Sequence, residues 1–297
     1  MILKAVAGPE HAGMRLDDGA KALFPQLSKA RIRRVIDWGG CRVSRSVVRV
    51  ASRPLRQGDE ITLAVTDRES FAEWTVSEGN LLVDETEYLA VNKPAGVYSQ
   101  RTPYQWKGTV EYAVGRYLES KGLGEPARVI HRLDRGTSGV MIFPKTRRAA
   151  AHISGRLMEA QVEKAYWALV PGNPEKARWT VDAPVASLGK SRFGVAPGGR
   201  EARTAFRVLS AGNGGTLIEA RPFTGRTHQV RVHLVHCGFP ILGDDRYGGA
   251  PAPRMMLHCR HMGFRAEDGR RIAATAPLDP LFREACAHAG VVMEPRS

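Results

Sequence analysis

The 297-residue sequence predicts an α+β protein built from two parts of unequal size. Three observations lead there. Apolar runs of strand length occur at residues 81–83, 88–91, 140–143, 166–170 and 217–220. Residues 109–120 and 147–160 carry apolar side chains at helical spacing. The connections between these segments mix hairpin and helix lengths, which a regular βαβ alternation would not do.

The first part opens with residues 15–24, where Leu16, Ala20 and Leu23 recur at helical spacing until Pro25 stops them. Ser28 then stands as the N-cap of a second helix that runs through Trp38 and ends at Gly39-Gly40. Ile32, Val35 and Ile36 form the apolar face of that helix, while Lys29, Arg31, Arg33 and Arg34 line the rest. Short strands follow at 41–50 and 59–65. Polar stretches at 66–70 and 77–80 mark a linker over 66–80, which divides a small domain, 1–65, from a large one, 81–297. No internal repeat or low-complexity tract interrupts either.

Charge narrows the partner. Forty-four Lys and Arg against 30 Asp and Glu leave a formal charge of +14, a field that draws polyanions. Nucleic acid is the leading class. No segment approaches the roughly 20 apolar residues of a membrane span, and no basic amphipathic tail stands apart, so no membrane partner is expected. The apolar run at the start is too brief for a secretory signal. Four scattered cysteines, without a Cys-x-x-Cys pair, read as reduced thiols of a cytoplasmic protein.

Residues 131–139, His-Arg-Leu-Asp-Arg-Gly-Thr-Ser-Gly, set Asp134 between two arginines on a glycine-rich turn entering an apolar strand. Such a turn presents a carboxylate firmly, whether for chemistry or as a salt-bridged surface connection. A second constellation spans 221–234. Polar Thr227, Gln229, Arg231 and His233 alternate there with His228, Val230, Val232 and Leu234, which predicts a strand with Gln229, Arg231 and His233 on one face. An inward arginine needs an anion, and Asp134 is the candidate partner. The pair would favour an ionised Asp134, fit to act as nucleophile or base, although a purely structural ion pair has the same signature. His258, Cys259 and His261, with His236 and Cys237 upstream, match no common zinc spacing, so no metal is expected.

Two resemblances follow from these motifs. Arg-Leu-Asp opening one helix, Leu-Ser-Lys-Ala-Arg-Ile opening the next, and residues 55–61, Leu-Arg-Gln-Gly-Asp-Glu-Ile, resemble the small RNA-binding domain named after ribosomal protein S-four. That family usually has Asn-Gly at a turn where this chain reads Ser44-Arg45-Ser46. The basic residues Lys29, Arg31, Arg33 and Arg34 are then expected to contact RNA phosphates. Nearly the whole chain resembles a pseudouridine synthase of the RluA family. Five segments appear in order: 91–96, 131–139, 164–170, 225–233 and 238–244. The resemblance implies a mixed, mainly antiparallel central sheet flanked by helices and loops.

It also implies roles. Asp134 matches the catalytic aspartate, Tyr166 the ring placed against the target base, and Arg231 the arginine paired with the aspartate. Arg132 matches the side chain that fills the gap left by an extruded uridine, and Leu257 an apolar pocket wall. His131 and Arg226 belong to the same motifs and are expected to bind substrate. No cofactor is implied. The implied partner is RNA, foremost 23S ribosomal RNA or a ribosome precursor, with transfer RNA as the alternative and a monomer as the default state. A catalytically silent RNA-binding or ribosome-assembly protein is the competing reading, which an intact Asp134, Tyr166 and Arg231 disfavour.

Overall fold

In a computed structural model, which describes residues 1–65, 73–123 and 126–293, the chain forms two compact units. One comprises Met1–Thr75 and Tyr98–Pro126, the other Val76–Val97 and Ala127–Ser297. Of the expected linker, residues 66–72 lie outside the described residues.

The first unit holds β1 (Ile2–Val6), α1 (Leu16–Leu23), α2 (Lys29–Asp37), β2 (Cys41–Val43), β3 (Ser46–Val47), β4 (Glu60–Ala64) and α3 (Val110–Ser120). Its antiparallel sheet runs β1-β4-β2-β3. Leu16 and Ala20 of α1 and Ile32, Val35 and Ile36 of α2 bury against Ile61 and Leu63, which is why the two amphipathic helices are held on this sheet. Ser28 caps α2 as expected, its hydroxyl accepting the Arg31 amide at 3.2 Å. At the turn between β2 and β3, Ser44 and Arg45 both take positive φ, 47° and 74°. The hairpin thus keeps the backbone that Asn-Gly adopts easily, although neither residue does so freely.

The second unit contains β5 (Leu81–Asp84), β6 (Tyr88–Lys93), β7 (Ser138–Pro144), α4 (Arg147–Met158), β8 (Glu163–Val170), β9 (Arg178–Asp182), β10 (Val185–Ser187), β11 (Phe193–Val195), β12 (Arg203–Gly212), β13 (Gly215–Pro222), α5 (Gln229–His236), β14 (Leu257–Arg265), β15 (Arg271–Thr275) and α6 (Pro280–His288). Nine strands make one sheet in the order β5-β6-β7-β14-β8-β13-β12-β9, with β15 also on β14. Every neighbouring pair is antiparallel except β7 and β14. The α+β class with a mixed, mainly antiparallel sheet is therefore as expected.

The parallel seam positions the site. β7 and β14 share two registered pairs, His258 with Ser138 and Cys259 with Gly139, before they part and β15 takes over the edge of β14. A Cβ on Gly139 would lie 2.2 Å from the Cys259 carbonyl oxygen, and its φ is 113°, so only glycine permits the approach. Past the seam, the Ile142 amide finds its acceptor in His131 Nε2 at 2.9 Å. The turn carrying Asp134 is thereby tied to the edge it leaves uncovered.

The expected strand at 227–234 is instead the helix α5. Every residue from Gln229 to Leu234 is buried, so the alternation of polar and apolar types does not mark an inner and an outer face. The polar residues serve two separate neighbourhoods. Gln229 and His233, one helical turn apart, both reach Thr204 of β12, at 3.0 and 2.9 Å, while Arg231 points elsewhere. The valines that suggested a strand lie in apolar packing on either side, where burial outweighs their weak preference.

Candidate active site

A cavity of about 690 Å³ opens over the front of the sheet, lined by Asp134, Arg132, Tyr166, Arg226, His228 and Leu257 among others. Asp134 sits on the turn before β7 and is held from α5. Arg231 Nη1 donates to Asp134 Oδ2 at 2.7 Å, while Nε and Nη2 grip both oxygens of Asp244 at 2.8 Å each. Arg231 and Asp244 are sealed, 8% and 2% exposed, whereas Asp134 retains 20%. The guanidinium fork is thus consumed by a buried orienting carboxylate and one oxygen of a solvent-reachable one. Asp134 Oδ1 accepts no hydrogen bond from a described residue, which leaves it available to react. Burial alone would lower the Arg231 pKa, but its bonds to Asp244 and the two carboxylate charges raise it, so the cation is permanent.

A second contact to Asp134 comes from His228, whose Nε2 lies 3.7 Å from Oδ2. The Phe193 amide donates to the Tyr247 hydroxyl at 3.1 Å, and that hydroxyl bonds His228 Nδ1 at 2.7 Å. The phenol thereby engages Nδ1 and leaves Nε2 as the ring nitrogen facing Asp134. Burial lowers the His228 pKa, Asp134 opposes this, and Arg231 and Arg246 reinforce it, so the ring is neutral at pH 7. His228 adopts φ 56° at the start of α5, a conformation costly to a non-glycine residue and maintained here by the aromatic pair Phe193 and Tyr247.

Beneath the turn, Lys93 is fully buried and donates to the carbonyls of Pro94, Val97 and Arg135 at 2.9, 2.7 and 3.2 Å. It ties the segment after β6 to the residue following Asp134. Burial depresses its pKa to about 7, with Asp134 acting in the opposite sense. Ser138 and His258 bond across the seam at 2.8 Å, and Arg254 donates to Ser138 at 3.1 Å while pairing with Asp279. His258 Nε2 meets the Ala276 carbonyl at 3.2 Å, so both of its ring nitrogens are engaged within the fold. Among the described residues no three His, Cys, Asp or Glu side chains are grouped to hold a metal.

The RNA pseudouridylate synthase family matches residues 87–236, a span that contains Asp134, Tyr166 and Arg231. An RNA pseudouridine synthase of Chloroflexus aurantiacus is 33% identical over 285 residues, covering 92% of this chain and 89% of the relative. The chain belongs to this family. It is an RNA pseudouridine synthase, an isomerase, as the sequence motifs implied. The ribosomal large subunit pseudouridine synthase D of Pseudomonas aeruginosa is likewise 33% identical, over 304 residues, 95% of this chain and 94% of that one. A solved structure, human RNA pseudouridylate synthase domain containing 4, superposes with a TM-score of 0.62 over 72% of this chain and 94% of its own. At 22% identity that likeness speaks for the fold alone.

The sequence-derived residues of this synthase fall into two groups. Asp134, Tyr166, Arg231, Arg132, Leu257, His131 and Arg226 all line the one cavity. Arg132 is exposed there, whereas His131 spends Nε2 on Ile142 and has its pKa pushed down by burial to about 4. Arg226 donates to the Glu201 carbonyl at 2.8 Å. Tyr166, on β8 across from Cys259, has its hydroxyl held protonated well above the usual range by burial, with Cys259 and Asp134 acting in the same sense. In the first unit, Lys29 pairs with Asp18, and Arg33 donates to Asp17 at 2.6 Å. Burial would raise the Asp17 pKa, but Arg15 and Arg33 hold it near 2. Arg31, Arg33 and Arg34 are exposed and Lys29 half-buried.

Asp244, His228, Tyr247 and Lys93 were given no role from sequence. Asp244 and Lys93 stand inside recognised motifs, and that was their only signal. Tyr247 carried none, since its role depends on a contact with His228, 19 residues away in the chain.

Proposed function

We propose that the chain converts uridines of large-subunit ribosomal RNA to pseudouridine, as a monomer without a cofactor, with Asp134 as the nucleophile on an extruded uridine. The carboxylate geometry carries this reading: Oδ2 is fixed by Arg231, and Oδ1 is unengaged at the wall of a cavity large enough for a nucleoside. A carboxylate in that position suits a reaction at a glycosidic centre, where it traps or stabilises oxocarbenium-like species. The neutral His228 turns Nε2 toward the same oxygen and adds polarity without a competing charge.

Tyr166 lines the cavity with its hydroxyl kept protonated by burial, so it offers an uncharged ring to the base. Leu257 supplies an apolar wall. Arg132, exposed at the cavity and without a hydrogen-bond or ion-pair partner among the described residues, is suited to occupy the stack vacated by the uridine. The N-terminal domain, 1–65, separated by the 66–80 linker from the 81–297 catalytic domain, contributes RNA affinity through the basic side chains of α2, Lys29, Arg31, Arg33 and Arg34, of which the three arginines are exposed. The ribosomal substrate is favoured by the names of the relatives, among them the Pseudomonas aeruginosa large-subunit enzyme.

Tritium release from RNA labelled at uridine C5 tests the reading, comparing native protein with Asp134→Asn on large-subunit ribosomal RNA transcripts and on a transfer RNA pool. Release from the ribosomal transcript that disappears in the variant is expected. Preferential release from transfer RNA would replace the substrate, and binding without release from either would favour a silent RNA-binding protein.

A further inference from the structure

The back of the catalytic unit's sheet carries a second basic surface. Register fixes its composition. One cross-strand row reads Arg178, Arg207, Glu219, Trp167 from β9 through β12 and β13 to β8, and the next reads Thr180, Ala205, Arg221. Alternation along β8 puts Trp167 on the face opposite Tyr166, so this surface lies behind the cavity. Thr180 and Ala205 are small, and the arginines around them enclose a groove of about 510 Å³.

Its charge is unbalanced. Glu219, 8% exposed, accepts from Arg207 at 3.1 Å and from Arg221 at 2.9 Å, so one buried carboxylate orients two cations whose forks remain open to solvent. Arg178 is exposed and makes no hydrogen bond or ion pair to a described residue. Arg260 lies over the Trp167 ring, 5.2 Å from its centroid, and adds a fourth cation beside the aromatic surface. In the next row Asp182 faces Arg203, which adds no net charge.

We infer that this groove binds the phosphate backbone of an RNA segment flanking the target. Guanidinium forks held open by a buried acid suit phosphate oxygens, and a tryptophan beside them suits an unpaired base. The chain's +14 charge and its RNA substrate class favour this occupant over an acidic protein. β13 ends at Pro222, and Pro222 through Arg231 line the cavity, so a strand leaving the groove along β13 arrives at the site. The inference rests on the RNA substrate class and not on the role of Asp134.

The test uses full-length protein carrying Asp134→Asn, so that binding is read without turnover. Anisotropy of a fluorescein-labelled single-stranded RNA of mixed sequence is followed across salt concentrations, with and without Arg178→Glu/Arg221→Glu. Glu219 retains Arg207 in that variant, and an unchanged thermal midpoint checks the fold. Affinity should fall by about tenfold or more, and the log–log salt slope should drop by about 2, one for each lost phosphate contact. The Arg178→Lys/Arg221→Lys protein should recover the slope. Unchanged affinity and slope for RNA would overturn the inference. So would a loss confined to polyglutamate used as a competing polyanion, which would assign the face to an acidic protein.

Discussion

One arginine serves two carboxylates, and their burial predicts different consequences for removing each charge. Asp244, 2% exposed, meets both Nε and Nη2 of an arginine that is itself 8% exposed. In Asp244→Asn, the amide nitrogen turns a donor toward a donor, and the arginine keeps its charge with half of its fork unmatched. Breaking a buried pair from one side costs about 3–5 kcal/mol, and the residual acceptor of Asn puts the expectation near the lower bound, about 3 kcal/mol. For a unit of this size each kcal/mol moves the midpoint by about 2–4 °C, so Tm should fall by roughly 6–12 °C. Asp134 is 20% exposed and shares only Nη1, so Asp134→Asn leaves the Asp244 fork intact and should cost under about 1 kcal/mol. Thermal unfolding followed by circular dichroism at neutral pH measures both, alongside tritium release, which both substitutions should abolish or nearly so. Equal Tm losses, or a loss below about 2 °C for Asp244→Asn, would refute the division of labour between an orienting and a reacting carboxylate.

Two further outcomes follow from the shell around this pair. Burial holds Lys93 near pKa 7 against an ordinary 10.5, so between those values the unfolded chain binds the more protons at this residue. That contribution to stability therefore rises with pH across the window and is lost as pH falls through 7; denaturant titrations of native protein and Lys93→Met should show the slope only in the native chain. Tyr247→Phe removes both the hydroxyl bonded to His228 Nδ1 and the acceptor of the Phe193 amide. It should cost about 1–3 kcal/mol in chemical denaturation and alter the pH profile of kcat, because His228 is then free to change tautomer; an unchanged profile would deny the phenol its orienting role.

Local signals were reliable in this sequence where the physics is local. Ser28, Pro25 and the apolar stripe of Ile32, Val35 and Ile36 define α1 and α2 because caps, breakers and periodicity act within a few residues. The pairing of Arg231 with Asp134 was also legible, although the strand argued for it is a helix: an arginine among apolar residues requires an anion in either geometry. α5 itself was hidden because burial on all sides erases the amphipathic period on which a helix is recognised. Asp244 was hidden for a related reason. Its partner lies 13 residues away, and nothing in its neighbours distinguishes a buried orienting acid from a solvated turn residue.

The two-residue parallel seam also sets an order of events during synthesis. Ser138 and His258 are 120 positions apart, so a chain emerging from the ribosome presents the Asp134 turn well before the strand that anchors it. Until Arg231 and Asp244 follow, Asp134 lacks the fork that orients it. The nascent chain therefore carries the Asp134 turn before the fork that orients it exists, and the seam beside that turn closes only when one of its last strands joins the sheet.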